Sequence, residues 1–241
     1  NLYFTAERSQ YTTVREFFTA ADNTESKDAQ DITSHVQNFI PNGVYKIITS
    51  PVENLLLFLT EGKSNNIYVY KYLFIDSVRH QAAWSYWNFG SGNILGADFF
   101  GDLFYIVIER DGILFLEKMS FTYNTVDYEQ EPYRIYLDRK VPYEIPSDTY
   151  DIITERTAFN IKDVYNAPDL ATFSGFALVD THGSYQEINA DDDGLVRLEG
   201  DWRNKKIFVG ENYNMKIVFS TLMIRQENEN GTKAIDTGRL Q

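Results

Sequence analysis

The chain has 241 residues, 43% hydrophobic and 15% aromatic, with 22 Lys and Arg against 35 Asp and Glu for a net charge of −13. That length suits one large all-β unit or two smaller domains. The acidic balance, with a pI near 4.6, lacks the basic footprint of a protein that grips phosphates. The absence of cysteine excludes disulfides, thiolate metal sites and a Cys nucleophile in this chain, and no apolar run approaches the ~18 residues of a membrane span.

In chain order, "NLYFTAERSQYTTVREFF" (1–18) reads as a hairpin rather than a protease-tag scar, because its apolar alternation runs on past Phe4. A polar loop, "AADNTESKDAQD" (20–31), follows, then "DITSHVQNFI" (31–40), which hints at a helical turn. Four strands are predicted next, at 44–50, 55–60, 67–74 and 82–89. They are separated by the turn signals "SPVEN", "EGKSNN" and "IDSVRH", and "FGSGN" closes the set.

The stretch repeats. "NLLLFLTEGKSNNIYVYKYLF" (54–74) overlies "DLFYIVIERDGILFLEKMSF" (102–121), with Leu55 over Leu103 and Ile67 over Ile113. Residues 1–18 fit the same pattern, Leu2 over Leu55. Four strands in about 40 to 50 residues is the signature of a β-propeller blade. In "IYVYKYLF", Ile67, Val69 and Leu73 point one way and Tyr68, Tyr70, Tyr72 and Phe74 the other. A strand without a polar face is expected to be covered on both sides, by one neighbouring sheet on each. The expected fold is therefore all-β. Residues 1–125 form a partial propeller that starts inside a blade, as in a fragment of a longer chain.

After the acidic linker "YNTVDYEQEPY", residues 126–241 carry apolar runs at 134–141, 157–161, 175–180, 194–200, 205–210 and 214–224. Pro142, Pro146, Pro168 and the loop "NADDDG" punctuate them. They predict a second, smaller antiparallel β barrel or sandwich.

No constellation carries catalysis. His35, His80 and His182 have no second histidine at metal-ligand spacing. In "NADDDG", Asn189, Asp191, Asp193 and Gly194 mimic the start of a calcium loop, but the closing ligand position holds Gly200, with Glu199 one place early. There is no GxSxG elbow, and Ser34 and Ser184 only neighbour their histidines in sequence. No Gly-rich phosphate loop precedes a helix. Trp84 and Trp87 have the chemistry to stack sugars or bases, but core packing is the stronger reading. "NGT" (230–232) matches a glycosylation acceptor without a secretory context. Catalytic, cofactor and metal residues are accordingly expected to be none.

Several segments resemble one family. "AERSQYTTVREFF", "DITSHVQNFIP" and "VYKYLFID…HQAAWSYWNF", with Gln81, Trp84 and Trp87 in a Gln-x-x-Trp-x-x-Trp arrangement, are similar to the tail nozzle proteins (tail tubular protein B) of short-tailed T7-like bacteriophages. "LEKMSF", "YLDRKV", "IFVGENYNMKIVFS" and "DTGRLQ" extend the resemblance in order along most of the chain. It implies a structural subunit and not an enzyme. In the full-length protein that subunit forms a hexameric ring in the distal tail tube. It joins a tail adaptor protein and tail fibres, passes DNA without reading its sequence, and resides in virions assembled in the host cytoplasm. An acidic wall would repel DNA phosphates. The alternative is a β-propeller that binds or hydrolyses polysaccharide, for which a carboxylate pair in a groove is the required feature.

Overall fold

Strong β formers between Gly, Asn and Asp turns give antiparallel hairpins throughout the chain. The computed structural model describes residues 1–18, 29–76, 78–122, 125–219, 223–228 and 231–237. The loop residues 23–28 and the acceptor Asn230 lie outside them. Asn1–Glu211 forms one compact unit and Asn212–Gln241 a second.

In the first unit, β1 (Leu2–Arg8), β2 (Tyr11–Phe17) and β3 (Gln30–Asp31) make a three-stranded sheet. A four-stranded sheet follows, of β4 (Val44–Ser50), β5 (Leu55–Thr60), β6 (Asn66–Ile75) and β7 (Val78–Asn88). A further three-stranded sheet holds β8 (Asn93–Phe100), β9 (Leu103–Arg110) and β10 (Ile113–Ser120). Residues 31–40 form turns closed by Val36 N–H donating to Thr33 O at 2.9 Å; they do not make the expected helical turn.

The central sheet is covered on both faces. Leu55, Leu57, Leu59, Ile67 and Val69 pack against Ile94, Phe104, Ile106 and Ile108 of the third sheet. Leu56, Phe58, Tyr68 and Tyr70, on the opposite face, pack with Val14 of the first sheet and Ile32 just past it. The register explains the split: Val69 lies opposite Leu57 and Ser85, and Tyr70 opposite Leu56 and Trp84. Alternate residues of one strand thus feed two different cores.

No sheet closes. Strand orders are linear, β1–β2–β3, β4–β5–β6–β7 and β10–β9–β8, and the end strands of a sheet do not pair with each other. The expected propeller is overturned: these are open sheets stacked face to face, and both outer ones have three strands instead of four. The sequence period reports hairpins, which are local. Curling and closure depend on long-range packing that a period does not encode.

The remainder of the first unit is built from two more open sheets. β11 (Asp138–Glu144), β14 (Phe176–Asp180), β15 (Tyr185–Glu187) and β17 (Lys206–Glu211) form one, in the order β11–β17–β14–β15. β12 (Tyr150–Asp151), β13 (Arg156–Asn160) and β16 (Leu195–Glu199) form the other. They share a core of Ile145, Phe159, Phe176, Leu178, Val196, Leu198, Ile207 and Val209, joined by Ile161 and Val164 of the single-turn helix α1 (Ile161–Val164). Asn160 caps that turn by accepting from the Lys162 amide at 2.9 Å. Pro142 sits inside β11, opposite Phe208, and is tolerated because β11 is an edge strand. The expected barrel does not form, because the four-stranded and three-stranded sheets each keep two free edges.

In the second unit, β18 (Met223–Asn228) and β19 (Gly231–Thr237) make a hairpin. Residues 212–219 are not a strand, so the run expected at 214–224 survives only where β18 begins at Met223.

Candidate functional site

The side chains that sequence reading singled out are dispersed. His35, His80 and His182 are all exposed. His182 approaches only Asp180, at 3.9 Å. The Asp180 carboxylate accepts from the amides of His182 and Ser184 at 2.8 and 2.9 Å, so it closes a turn. Those amide bonds hold it below the usual carboxylate range against the opposing effect of burial.

The "NADDDG" loop is likewise spent on its own turn. Asp191 accepts from the amides of Asp193 and Leu195 at 3.2 and 2.9 Å and from Arg197 Nη1 at 2.9 Å. These contacts, the Leu195 amide first, lower its pKa. The backbone carbonyl of Asp193 accepts from Asn160 Nδ2 at 3.0 Å. Gly194 has φ +85°, and a Cβ there would lie 2.8 Å from both Asn160 Oδ1 and Phe173 Cε1. Its role is backbone freedom and clearance. Among the described residues no cluster of three or more metal-ligating side chains occurs, and no helix is long and apolar enough to cross a membrane.

Trp84 and Trp87 point to opposite faces of β7, and each joins a core. Trp84 lies 4.8 Å from Tyr70 and 5.5 Å from Phe58, ring centre to ring centre. Trp87 lies 6.2 Å from Phe104 and 6.0 Å from Phe121. Gln81, the first member of the Gln-x-x-Trp-x-x-Trp arrangement, is exposed and opposite Leu73.

An open groove of about 560 Å³ runs beside this sheet, lined by Asn1, Tyr3, Thr49, Pro51, Leu56, Tyr72 and Phe74. Its wall is aromatic and contains no carboxylate. A second opening is lined by Asn1, Leu2, Phe17 and Phe18. The opposed acids that glycoside hydrolysis needs are absent from both linings.

What the structure does bring together are ionic ties between sheets. Glu16 on β2 is buried, with 3% of its side chain exposed. It accepts from Asn1 Nδ2 at 2.6 Å, from Tyr3 Oη at 2.8 Å and from Arg79 Nη1. Arg79, on β7, also donates to Tyr70 Oη at 3.2 Å. Desolvation, then the Glu16 bond and charge, push the Tyr3 phenol above its ordinary range.

A second tie centres on Arg139, whose side chain is 6% exposed. It pairs with Glu117 of β10 and Glu211 of β17. Its guanidinium stacks 4.9 Å from the Phe115 ring and 4.6 Å from that of Tyr165. Arg110 of β9 shares Glu117 at 3.2 Å. Sequence reading missed both ties. Their partners lie 63 residues apart for Arg79 and Glu16 and 72 for Arg139 and Glu211, and no local pattern marks them.

Among the described residues, then, stacked sheets share cores and are tied by cross-sheet ion pairs. A model of the bacteriophage nozzle protein family matches residues 1–241. The chain is 34% identical over 250 residues to tail tubular protein gp12 of Escherichia phage T7, an alignment that covers 100% of this chain and 31% of that protein. The chain thus spans about a third of the length of that curated relative. By this match along its whole length, the chain belongs to the bacteriophage nozzle protein family.

Proposed function

We propose that the chain is a structural, non-catalytic segment of a phage tail nozzle, part of the tube wall past which DNA leaves the virion. The family match over all 241 residues carries this reading. The double-sided burial of the central sheet supports it, because a wall under load gains from sheets that share cores with both neighbours. In this reading six copies form a ring, dock below a tail adaptor protein, carry tail fibres, and assemble in the host cytoplasm before residing in the virion. Residues 1–125 and 126–241 would act as its two segments. The net charge of −13 keeps DNA phosphates from adhering if the acids face the bore.

The test is microscopy of the intact protein by negative stain, with cross-linking mass spectrometry on purified tails. A ring with a central bore, cross-linked to adaptor and fibre subunits, is the expected result. A monomer without a bore, or acids confined to the outer surface around a basic channel, would reverse it.

A further inference from the structure

Two apolar features of the first unit are exposed among the described residues. The sheet of β8, β9 and β10 buries one face against the central sheet and leaves the other open. On an open face, outward positions are normally polar. Here Leu114 and Leu116 of β10 are 64% and 70% exposed, beside Val107 at 39% and Leu95 at 49%. Leu116 lies opposite Val107, so the apolar residues are contiguous across the strands. Lys118, exposed and with its ammonium 6.0 Å from the Tyr128 ring, continues the same row at one end, and Glu109 lies opposite Leu114 at the other.

The second feature is a protruding tip. Ile152 and Ile153, in the turn between β12 and β13, are 81% and 89% exposed. The tip is held rigid. Asp151 accepts from the Ile153 amide and the Thr154 hydroxyl, both at 2.8 Å. The Glu155 carbonyl accepts from the Gly200 amide at 2.9 Å. Two β-branched side chains fixed in water by this many bonds lose little entropy on docking. The tip is anionic at Asp151 and Glu155, whereas the row it would meet ends in a lysine.

We infer that the open face of the β8–β10 sheet receives the Ile152–Ile153 tip of a second copy of this chain, with Glu155 of that tip facing Lys118. Knob and receptor sit at different places on one compact unit, so the contact is head-to-tail. Such contacts propagate into a ring when the rotation closes. An isologous dimer built on the sheet face alone would bury the leucines but leave both isoleucines wet. The inference rests on the tubular assembly proposed above and names the surfaces that build it.

Every position involved is exposed, so substitution there leaves the fold intact, and unchanged melting temperatures serve as the control. In the intact protein, Ile153→Asp and Leu116→Asp are each expected to raise the concentration for half-assembly about tenfold or more. Glu155→Lys and Lys118→Glu are expected to weaken assembly singly and restore it together. A short bis-maleimide should link Ile153→Cys to Leu116→Cys between chains, with single-cysteine controls staying unlinked. If wild type forms rings while these variants assemble as wild type, or the link forms within one chain, the inference is overturned. If wild type forms no multimer, the tubular reading fails first.

Discussion

Trp84 donates its indole Nε1–H to the carbonyl oxygen of Ile32 at 3.0 Å, joining β7 to the chain just past β3. The ring is half-buried among Tyr70, Phe58 and Phe39. Trp84→Ala is expected to cost about 3 kcal/mol, at the low end for an aromatic truncation because the ring is not fully enclosed. Trp84→Phe should keep most of the packing and lose about 1 kcal/mol with the hydrogen bond. Urea unfolding of the two variants separates the terms. An unchanged midpoint for Trp84→Ala would assign the ring a surface role.

Glu16 and Arg79 make a pair whose acid is buried and whose base is 27% exposed. Removing one partner strands the other, so Arg79→Met should destabilise by about 3 to 5 kcal/mol. Glu16→Gln should cost less, because the amide still accepts from Tyr3. The double variant is expected to recover most of the loss, since neutral replacement of both charges leaves no ion unpaired. A double-mutant cycle measures the coupling; additive costs would show that the pair does not act as a unit.

Buried and half-buried tyrosines make the fold sensitive to alkali. Burial, the largest effect in each, raises Tyr3, Tyr68, Tyr70, Tyr72, Tyr128, Tyr143 and Tyr165 above the ordinary phenol value of 10.0. A raised folded pKa means the neutral phenol is the form the fold accepts. The stability it contributes is complete below about pH 10 and is lost as pH rises from there, because the unfolded chain ionises first. Phenolate absorbance followed against pH reports on this set. The buried set should ionise only with cooperative unfolding. A single smooth curve for all tyrosines would contradict the burial argument.

Much of this was legible in the residues. The strands expected at 44–50 and 55–60 match β4 and β5 residue for residue; in "IYVYKYLF" the expected cover on both sides holds for Ile67, Tyr68, Val69 and Tyr70 but not for Leu73, which is exposed. These are local facts: period-two alternation and turn chemistry decide them. What was not legible is long-range. The Leu55-over-Leu103 repeat describes hairpins that recur, and it is silent on whether a fourth strand joins the sheet or the sheets curl. β11 starts at Asp138 and runs through Pro142 because a bulge between Asp138 and Val141 sets its register against β17. A run of apolar residues cannot announce that. Ile152 and Ile153 were not legible for the opposite reason: nothing local in "DIITER" says that a turn puts both isoleucines in water.

The Asp191 loop allows a direct check on metal affinity. Its carboxylate already accepts two amides and a guanidinium. A cation would have to displace Arg197 and break the turn. Adding millimolar calcium should therefore leave the melting temperature where it was, whereas Asp191→Ala should lower it slightly through the lost turn bonds. Calcium-dependent stabilisation that Asp191→Ala removes would restore the metal reading.

Arg139 combines three demands that few residues meet together. Its backbone has φ +51°, a left-handed conformation that costs a non-glycine residue on the order of 1 kcal/mol. It lies in the β11 bulge, which packs so closely on β17 that a Cβ at Gly210 would come within 2.8 Å of the Asp138 carbonyl oxygen. The strain is offset because the bulge aims the guanidinium between two rings and at two carboxylates. Arg139→Gly should relieve the backbone and still destabilise, by about 3 kcal/mol or more, since Glu211 is left without its partner. Arg139→Lys should recover only part of that: an ammonium keeps the charge but cannot stack as a plane or reach the two acids from two separate nitrogens, as the Arg139 Nε and Nη1 do. Equal stability of the lysine variant and wild type would show that charge alone holds β10, β11 and β17 together.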